Sequence, residues 1–241
     1  MKNVVYQDLY QFNFLSDPVV SPDGTHAIFT KQNAVEDSNS YTAEIWIMDL
    51  ATKEYHPLTT GGKERGGFWI DADNVAFVAN RDGNKAKGTT WYKINIHGGE
   101  AQPWLTANER AGQIKLIDDE TYIYTVNRNS DGDPKKEEDK AKEGEEIFVF
   151  EEFPFWFNGR KVINKKRNAL VLHQNGEDKT LTPQYMNVQG LQLSPDKTKI
   201  VYGGSEYTDV QSRTSGMYLY EIATGETKTR IPQGDLSVGS F

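Results

Sequence analysis

The chain has 241 residues, 37% of them hydrophobic and 12% aromatic, which is enough for one large or two small domains, with bulky side chains filling a core in few positions. A formal net charge of −8 argues against a surface built to neutralise nucleic-acid phosphates or anionic lipid. The lack of cysteine excludes disulfides, thiolate metal sites and a cysteine nucleophile.

At the N-terminus, "MKNVVYQDLYQFNFLSD" is broken by Gln7, Asp8 and Gln11 before an apolar run of signal length forms. No stretch approaches a membrane span. With the absence of cysteine, these features lead us to expect a cytoplasmic protein. Val5, Leu9 and Phe12 recur at near-helical spacing and predict a short N-terminal helix.

A repeat begins at "VVSPDGTHAIF" and returns at "LQLSPDKTKIVY". Aligning the apolar triplets Ala27-Ile28-Phe29, Ala76-Phe77-Val78, Tyr122-Ile123-Tyr124 and Ile200-Val201-Tyr202 brings the turns "SPDGTH", "IDADNV", "LIDDET" and "SPDKTK" into one column. Each is an Asp-rich connection between short apolar runs, as hairpins require. The column starts at Ser21, Ile70, Leu116 and Ser194, so the copies are 49, 46 and 78 residues apart. The last step holds an insertion of roughly 30 residues beyond a propeller period of about 40 to 50. After each hairpin come an alternating apolar run, a turn (Ala51-Thr52, Gly98-Gly99, Asn175-Gly176, Thr224-Gly225) and a final short strand. In the first three copies that strand closes on Leu-Thr.

Four strands per copy follow. Alternation puts Ile45 and Ile47 on one sheet face, which a single hairpin cannot cover, so a neighbouring copy must. The predicted fold is all-β: a β-propeller of four-stranded antiparallel blades, about four of them, preceded by the short helix. As a single domain over 1–241, the blades are expected at about 17–59, 67–106, 112–182 (with an insertion at 129–160) and 190–233. Residues 234–241 would start a further blade.

The insertion opens with "DGDPKKEEDKAKEGEE", eight acidic and four basic residues, which reads as a solvated loop. A calcium loop on Asn129, Asp131 and Asp133 fails, because Pro134 stands where glycine is required and Lys140 where the bidentate glutamate belongs. No metal or other cofactor is expected. The insertion continues as "IFVFEEFPFWFNGRKVINKKRNALVL". Two readings stay open for its aromatic cluster: a strand packing a blade edge, or a pocket in which Glu151, Glu152, Phe155, Trp156 and Arg160 bind substrate, with carboxylates beside rings suiting a cationic amine such as a peptide N-terminus.

Catalytic chemistry is missing. Ser205 in "GGSEY" begins like a nucleophile elbow, but Tyr207 replaces the second glycine. His26, His56, His97 and His173 are scattered over the repeats without metal-ligand spacing. The paired glycines of the blade connections precede no helix and make no phosphate loop. The five tryptophans, Trp46, Trp69, Trp91, Trp104 and Trp156, offer stacking faces for a carbohydrate, though most fall in alternating strands as core residues do.

"DLYQFNFLSDPVVSPDGTHAIFT", the endings "PLT", "WLT" and "TLT", and "FPFWFNGRKVINKKRNALVLHQNGEDKTLT" together resemble the N-terminal region of the prolyl oligopeptidase family of serine peptidases, in its acylaminoacyl-peptidase and dipeptidyl-peptidase-like branch. Similar hairpins occur in TolB-like propellers. The resemblance covers essentially the whole chain. It implies a propeller that caps a C-terminal α/β-hydrolase domain of the same parent chain, admits short peptides and helps to hold their amino-terminal end. The catalytic Ser, Asp and His would belong to that domain, so these residues carry no catalytic group, and Glu151 and Glu152 are the substrate-holding candidates. Nucleic acid and membrane are not expected partners. The rival expectation is a self-contained TolB-like scaffold that binds a protein or another ligand.

Overall fold

The computed structural model describes residues 5–79, 88–130, 150–154, 156–157 and 161–238. Four four-stranded antiparallel sheets, with strands in chain order in all but the third, make up the fold. The first holds β1 (Phe14–Val20), β2 (His26–Val35), β3 (Ser40–Asp49) and β4 (Tyr55–Pro57). The second holds β5 (Glu64–Trp69), β6 (Asn74–Ala79), β7 (Thr89–Asn95) and β8 (Gln102–Ala107). In the third, β9 (Ala111–Leu116) and β10 (Tyr122–Asn129) are followed by a two-stranded ladder, β11 (Trp156–Phe157) and β12 (Lys161–Val162). That sheet is then completed by β13 (Lys166–Gln174) and β14 (Glu177–Thr180). The fourth holds β15 (Met186–Leu193), β16 (Lys199–Glu206), β17 (Gly216–Glu221) and β18 (Glu226–Ile231). These are β-propeller blades, as the repeat predicts. Residues 234–238 carry no strand, and 239–241 lie outside the described residues. The N-terminal helix is a six-residue 3₁₀ turn, Tyr6–Gln11, with no side chain fully buried. At that length an α-helix gains too few bonds to offset its nucleation cost.

The chain divides into two compact units, Met1–Glu109 and Arg110–Phe241, each with two blades. In the first unit Ile28, Ile45 and Ile47 of the first blade bury against Val75, Phe77, Tyr92 and Ile94 of the second. In the second unit Ile123, Leu170 and Leu172 meet Val188, Leu191, Ile200, Tyr202 and Tyr220. Each such side chain contributes about 1.5–3 kcal/mol relative to exposure. β5 approaches the first blade so closely that a Cβ at Gly67 would lie 3.2 Å from Ile28 Cδ1 and 3.3 Å from Ile45 Cδ1.

Side chains finish the ladders where backbone partners run out. At the first hinge, Ser21 N–H donates to His26 O (2.8 Å), Ser21 Oγ accepts from His26 N–H (2.9 Å), and Asp23 accepts from Ser21 Oγ and Thr25 N–H. The fourth repeats this with Ser194, Asp196, Thr198 and Lys199. Gly24 (φ 74°) and Lys197 (φ 57°) take the left-handed position. The two middle hinges are one residue shorter, Ile70 closing onto Asn74 and Ile117 onto Thr121. Register therefore makes Val75-Ala76-Phe77 the equivalent of the first blade's triplet, one residue earlier than the sequence alignment placed it, with Trp69 opposite Val75 as Val20 is opposite Ala27.

The recurring Leu-Thr ending has a similar cause. Thr59 Oγ1 accepts the Ile45 N–H (3.0 Å), and Thr182 Oγ1 accepts the Leu170 N–H (3.1 Å). Leu58 and Leu181 donate to the carbonyls of those same two residues. A buried amide left without a partner would cost more than the hydroxyl's ordering. Each first strand also carries one extra residue relative to its neighbour, in the stretches 16–19, 65–68, 111–114 and 188–190. Such bulges sharpen the twist that lets one blade lie across the next.

Two outcomes follow from this packing. Ile45→Ala lowers stability by about 2–5 kcal/mol through lost burial and a residual cavity, and Gly67→Val by about 1–3 kcal/mol through overpacking, both measured by denaturant unfolding. Hydrogen bonds from Ser194 and Thr198 hold the Asp196 carboxyl at about 2 against an ordinary 3.8. A depressed folded value means that its stabilisation is complete above pH ~4 and is lost as pH falls toward about 2. Carboxyl NMR will show that low midpoint, and Ser194→Ala will move it up.

Candidate functional site

The candidate site lies where the insertion returns to the third blade. Glu151 and Glu152 are adjacent in sequence and opposite in environment. Glu151 is exposed, whereas Glu152, at a bend in the chain, is buried. Glu151 N–H donates to Asn164 Oδ1 (3.1 Å), and its carboxylate, 57% exposed, pairs with Lys165 Nζ.

The Glu152 carboxylate is 4% exposed and faces the Arg167 guanidinium, itself 2% exposed. Arg167 Nη2 donates to Glu152 Oε1, and Nη1 to Oε2 at 3.2 Å. Oε2 also accepts the Lys165 N–H (2.6 Å). Arg167 further donates from Nε to Tyr185 O (3.3 Å), from Nη1 to Lys166 O (3.1 Å) and from Nη2 to Tyr207 O (2.9 Å). Its guanidinium lies 3.8 Å from the centre of the Tyr207 ring. Burial pushes the Tyr207 hydroxyl up, while Arg167 pulls it the other way. Such a cluster suits two charges that must be dry, since each is met by an opposite charge and by fixed dipoles.

Next along the chain, Phe153 forms a parallel bridge with Val210. Its N–H donates to Asp209 O (2.8 Å) and its carbonyl accepts from Gln211 N–H (2.9 Å). Phe153 is 67% exposed and Val210 64%, so this junction, two residues after Glu151, presents apolar surface. Trp156 is also exposed. The structure thus brings Glu151 and Glu152 to one short segment and engages Glu152 with Arg167. Phe155, Arg160 and the calcium-loop positions Asp131, Asp133, Pro134 and Lys140 lie outside the described residues.

Arg167 was not among the candidate residues. One signal was available in "KRNALVL": alternation places Arg167 on the same strand face as Ala169 and Val171, a core register for a charged residue. Of the groups weighed for catalysis, Ser205 is buried, donating to Thr214 O (2.8 Å) and accepting from Gln189 Nε2 (3.2 Å). His97 pairs with Asp73, and His173 with Asp178 while stacking on Tyr122 at 4.5 Å. Among the tryptophans Trp91 is fully buried, while Trp46 carries Lys31 over its ring at 4.1 Å.

No family model matches the chain. It is 27% identical over 224 residues to the uncharacterized peptidase YuxL of Bacillus subtilis, covering 90% of this chain and 34% of that protein. The chain thus spans about a third of the length of the curated relative it matches. Acylaminoacyl peptidase from Pyrococcus horikoshii shares the fold with a TM-score of 0.64 at 16% identity, over 93% of this chain and 33% of that one. The β-propeller domain of the Trilobed protease from Pyrococcus furiosus does so with a TM-score of 0.56 at 16% identity (94% and 60%). TolB from Acinetobacter baumannii gives 0.53 at 15% identity (91% and 44%). The solved structures show the fold, and the sequence relative ties it to a peptidase, so the resemblance to a peptidase propeller is borne out.

The two glutamates separate experimentally. Glu152→Ala leaves Arg167 buried without its counter-charge and lowers stability by about 3–5 kcal/mol. Glu151→Ala removes an exposed pair and changes stability by less than about 1 kcal/mol. Thermal and urea unfolding of the two variants side by side will show the gap.

Proposed function

We propose that these residues are a non-catalytic propeller portion of a serine peptidase of the prolyl oligopeptidase family, acylaminoacyl-peptidase or dipeptidyl-peptidase-like, that acts on short peptides. The observation that carries the reading is the relationship to a peptidase along 90% of the chain, which accounts for only 34% of that relative. In this reading an α/β-hydrolase domain of the same parent chain supplies the nucleophile, base and acid. The propeller excludes folded proteins by restricting access and contributes to substrate selection. No cofactor enters the reaction. The protein works in the cytoplasm, without nucleic acid or membrane as partner.

Within the propeller, Glu151 is the carboxylate that meets the protonated amino terminus of a peptide, and Phe153 and Trp156 supply apolar surface for its first side chains. Phe155 and Arg160 complete the group proposed from sequence. Glu152 supports the segment from beneath. A second reading, a TolB-like scaffold that binds a protein or ligand without hydrolysis, draws support from the likeness to TolB.

Short chromogenic peptides decide between the two. The full-length protein hydrolyses them, the 241-residue fragment alone does not, and Glu151→Gln in the full-length protein raises KM for peptides with a free amino terminus by about 10-fold while leaving N-blocked peptides unaffected. Absence of hydrolysis by the full-length protein, or activity in the fragment, would falsify the peptidase reading.

A further inference from the structure

We infer that Arg167 is a positioning residue: its guanidinium latches the segment 150–154 onto the 207–211 loop of the fourth blade and so sets where Glu151 stands. The latch stands on geometry alone; its consequence for substrate rests on the function proposed above.

Arg167 spends its whole donor set on this junction. A guanidinium has five N–H groups. The contacts from Nε, Nη1 and Nη2 to Tyr185 O, Lys166 O, Tyr207 O and both oxygens of Glu152 engage five. Three stretches of chain therefore converge on one side chain of β13, the end of the insertion at Glu152, the entry to the fourth blade at Tyr185 and the loop after β16 at Tyr207, while the remaining bond goes to Lys166 of its own strand. A lysine has three donors and no planar fork, and cannot reproduce the pattern. The Tyr207 ring beneath the guanidinium adds a cation–π contact to these bonds.

Stability alone does not account for the arrangement. Well-packed apolar side chains commonly serve a core as well as a buried ion pair does. What apolar contact lacks is direction. The bidentate pair sets the rotation and height of Glu152, and the neighbouring Phe153 then meets Asp209 and Gln211 in register. Glu151, one residue before the latch, is held on its other side by Asn164 and Lys165. Its carboxylate stands on a segment fixed at both ends, as an exposed group needs if it is to recognise a ligand without ordering cost.

The test uses the full-length protein. Because Arg167→Met alone strands the Glu152 charge and can prevent folding, the informative variant is Arg167→Met/Glu152→Leu, which keeps apolar volume and removes the directional bonds. The expected result is at least ~10-fold faster exchange of the amides of 150–153 and 207–211, with β13 and β16 as protected as in the parent. With it goes a rise of about 10-fold in KM for peptides with a free amino terminus at a kcat within about two-fold. Arg167→Lys shifts both in the same direction by less. Parent-like exchange in both segments of the double variant overturns the latch. Faster exchange with unchanged KM leaves the latch standing and overturns the substrate role of Glu151.

Discussion

One constraint governs this molecule: a four-stranded sheet with an apolar face cannot stand alone in water, and here its cover is another copy of itself. In each compact unit the side chains of one blade enter the spaces between those of the next, Ile28, Ile45 and Ile47 against Val75 and Phe77 in the first, Ile123 and Leu170 against Ile200 and Tyr202 in the second. Close approach of two twisted sheets demands small residues at the crossing, such as Gly67, and an extra residue in each first strand to sharpen the twist. The repeat in sequence is the trace of this mutual dependence.

Twist has a second consequence. Strands that curl away from their neighbours leave amides without carbonyls before they reach solvent, and short side chains fill the gaps. Serine and aspartate do so at the hinges before β2 and β16, threonine at the ends of the first and third blades. This is why Ser-Pro-Asp and Leu-Thr recur while the residues between them drift. The polar positions answer to hydrogen-bond geometry, whereas the apolar ones need only volume and the correct face.

The insertion follows different physics. It is joined to the third and fourth blades through a buried charge cluster, with Arg167 engaging Glu152 and two distant carbonyls. Adjacent in the chain, Glu151 and Glu152 differ in environment: one faces solvent and is the carboxylate proposed for recognition, the other is engaged in holding the segment. A propeller scaffold suits this division, because its rigid sheets bear the folding energy and leave surface segments free to specialise.

Periodicity by itself determined the four sheets, their strand count and the Asp-rich hinges, because alternation and turn chemistry are local and survive in sequence. The aromatic cluster of the insertion marked the neighbouring Glu151 and Glu152 as a pair worth attention. The one-residue offset in the second blade came to light only in the folded hairpin, where a shorter hinge sets Trp69 opposite Val75. The opposite fates of the two glutamates were decided by tertiary structure, because the buried carboxylate depends on Arg167, whose other bonds reach Tyr185 and Tyr207. No local pattern states which of two adjacent acids will find an arginine, because burial and pairing are set by where the folded chain returns to itself.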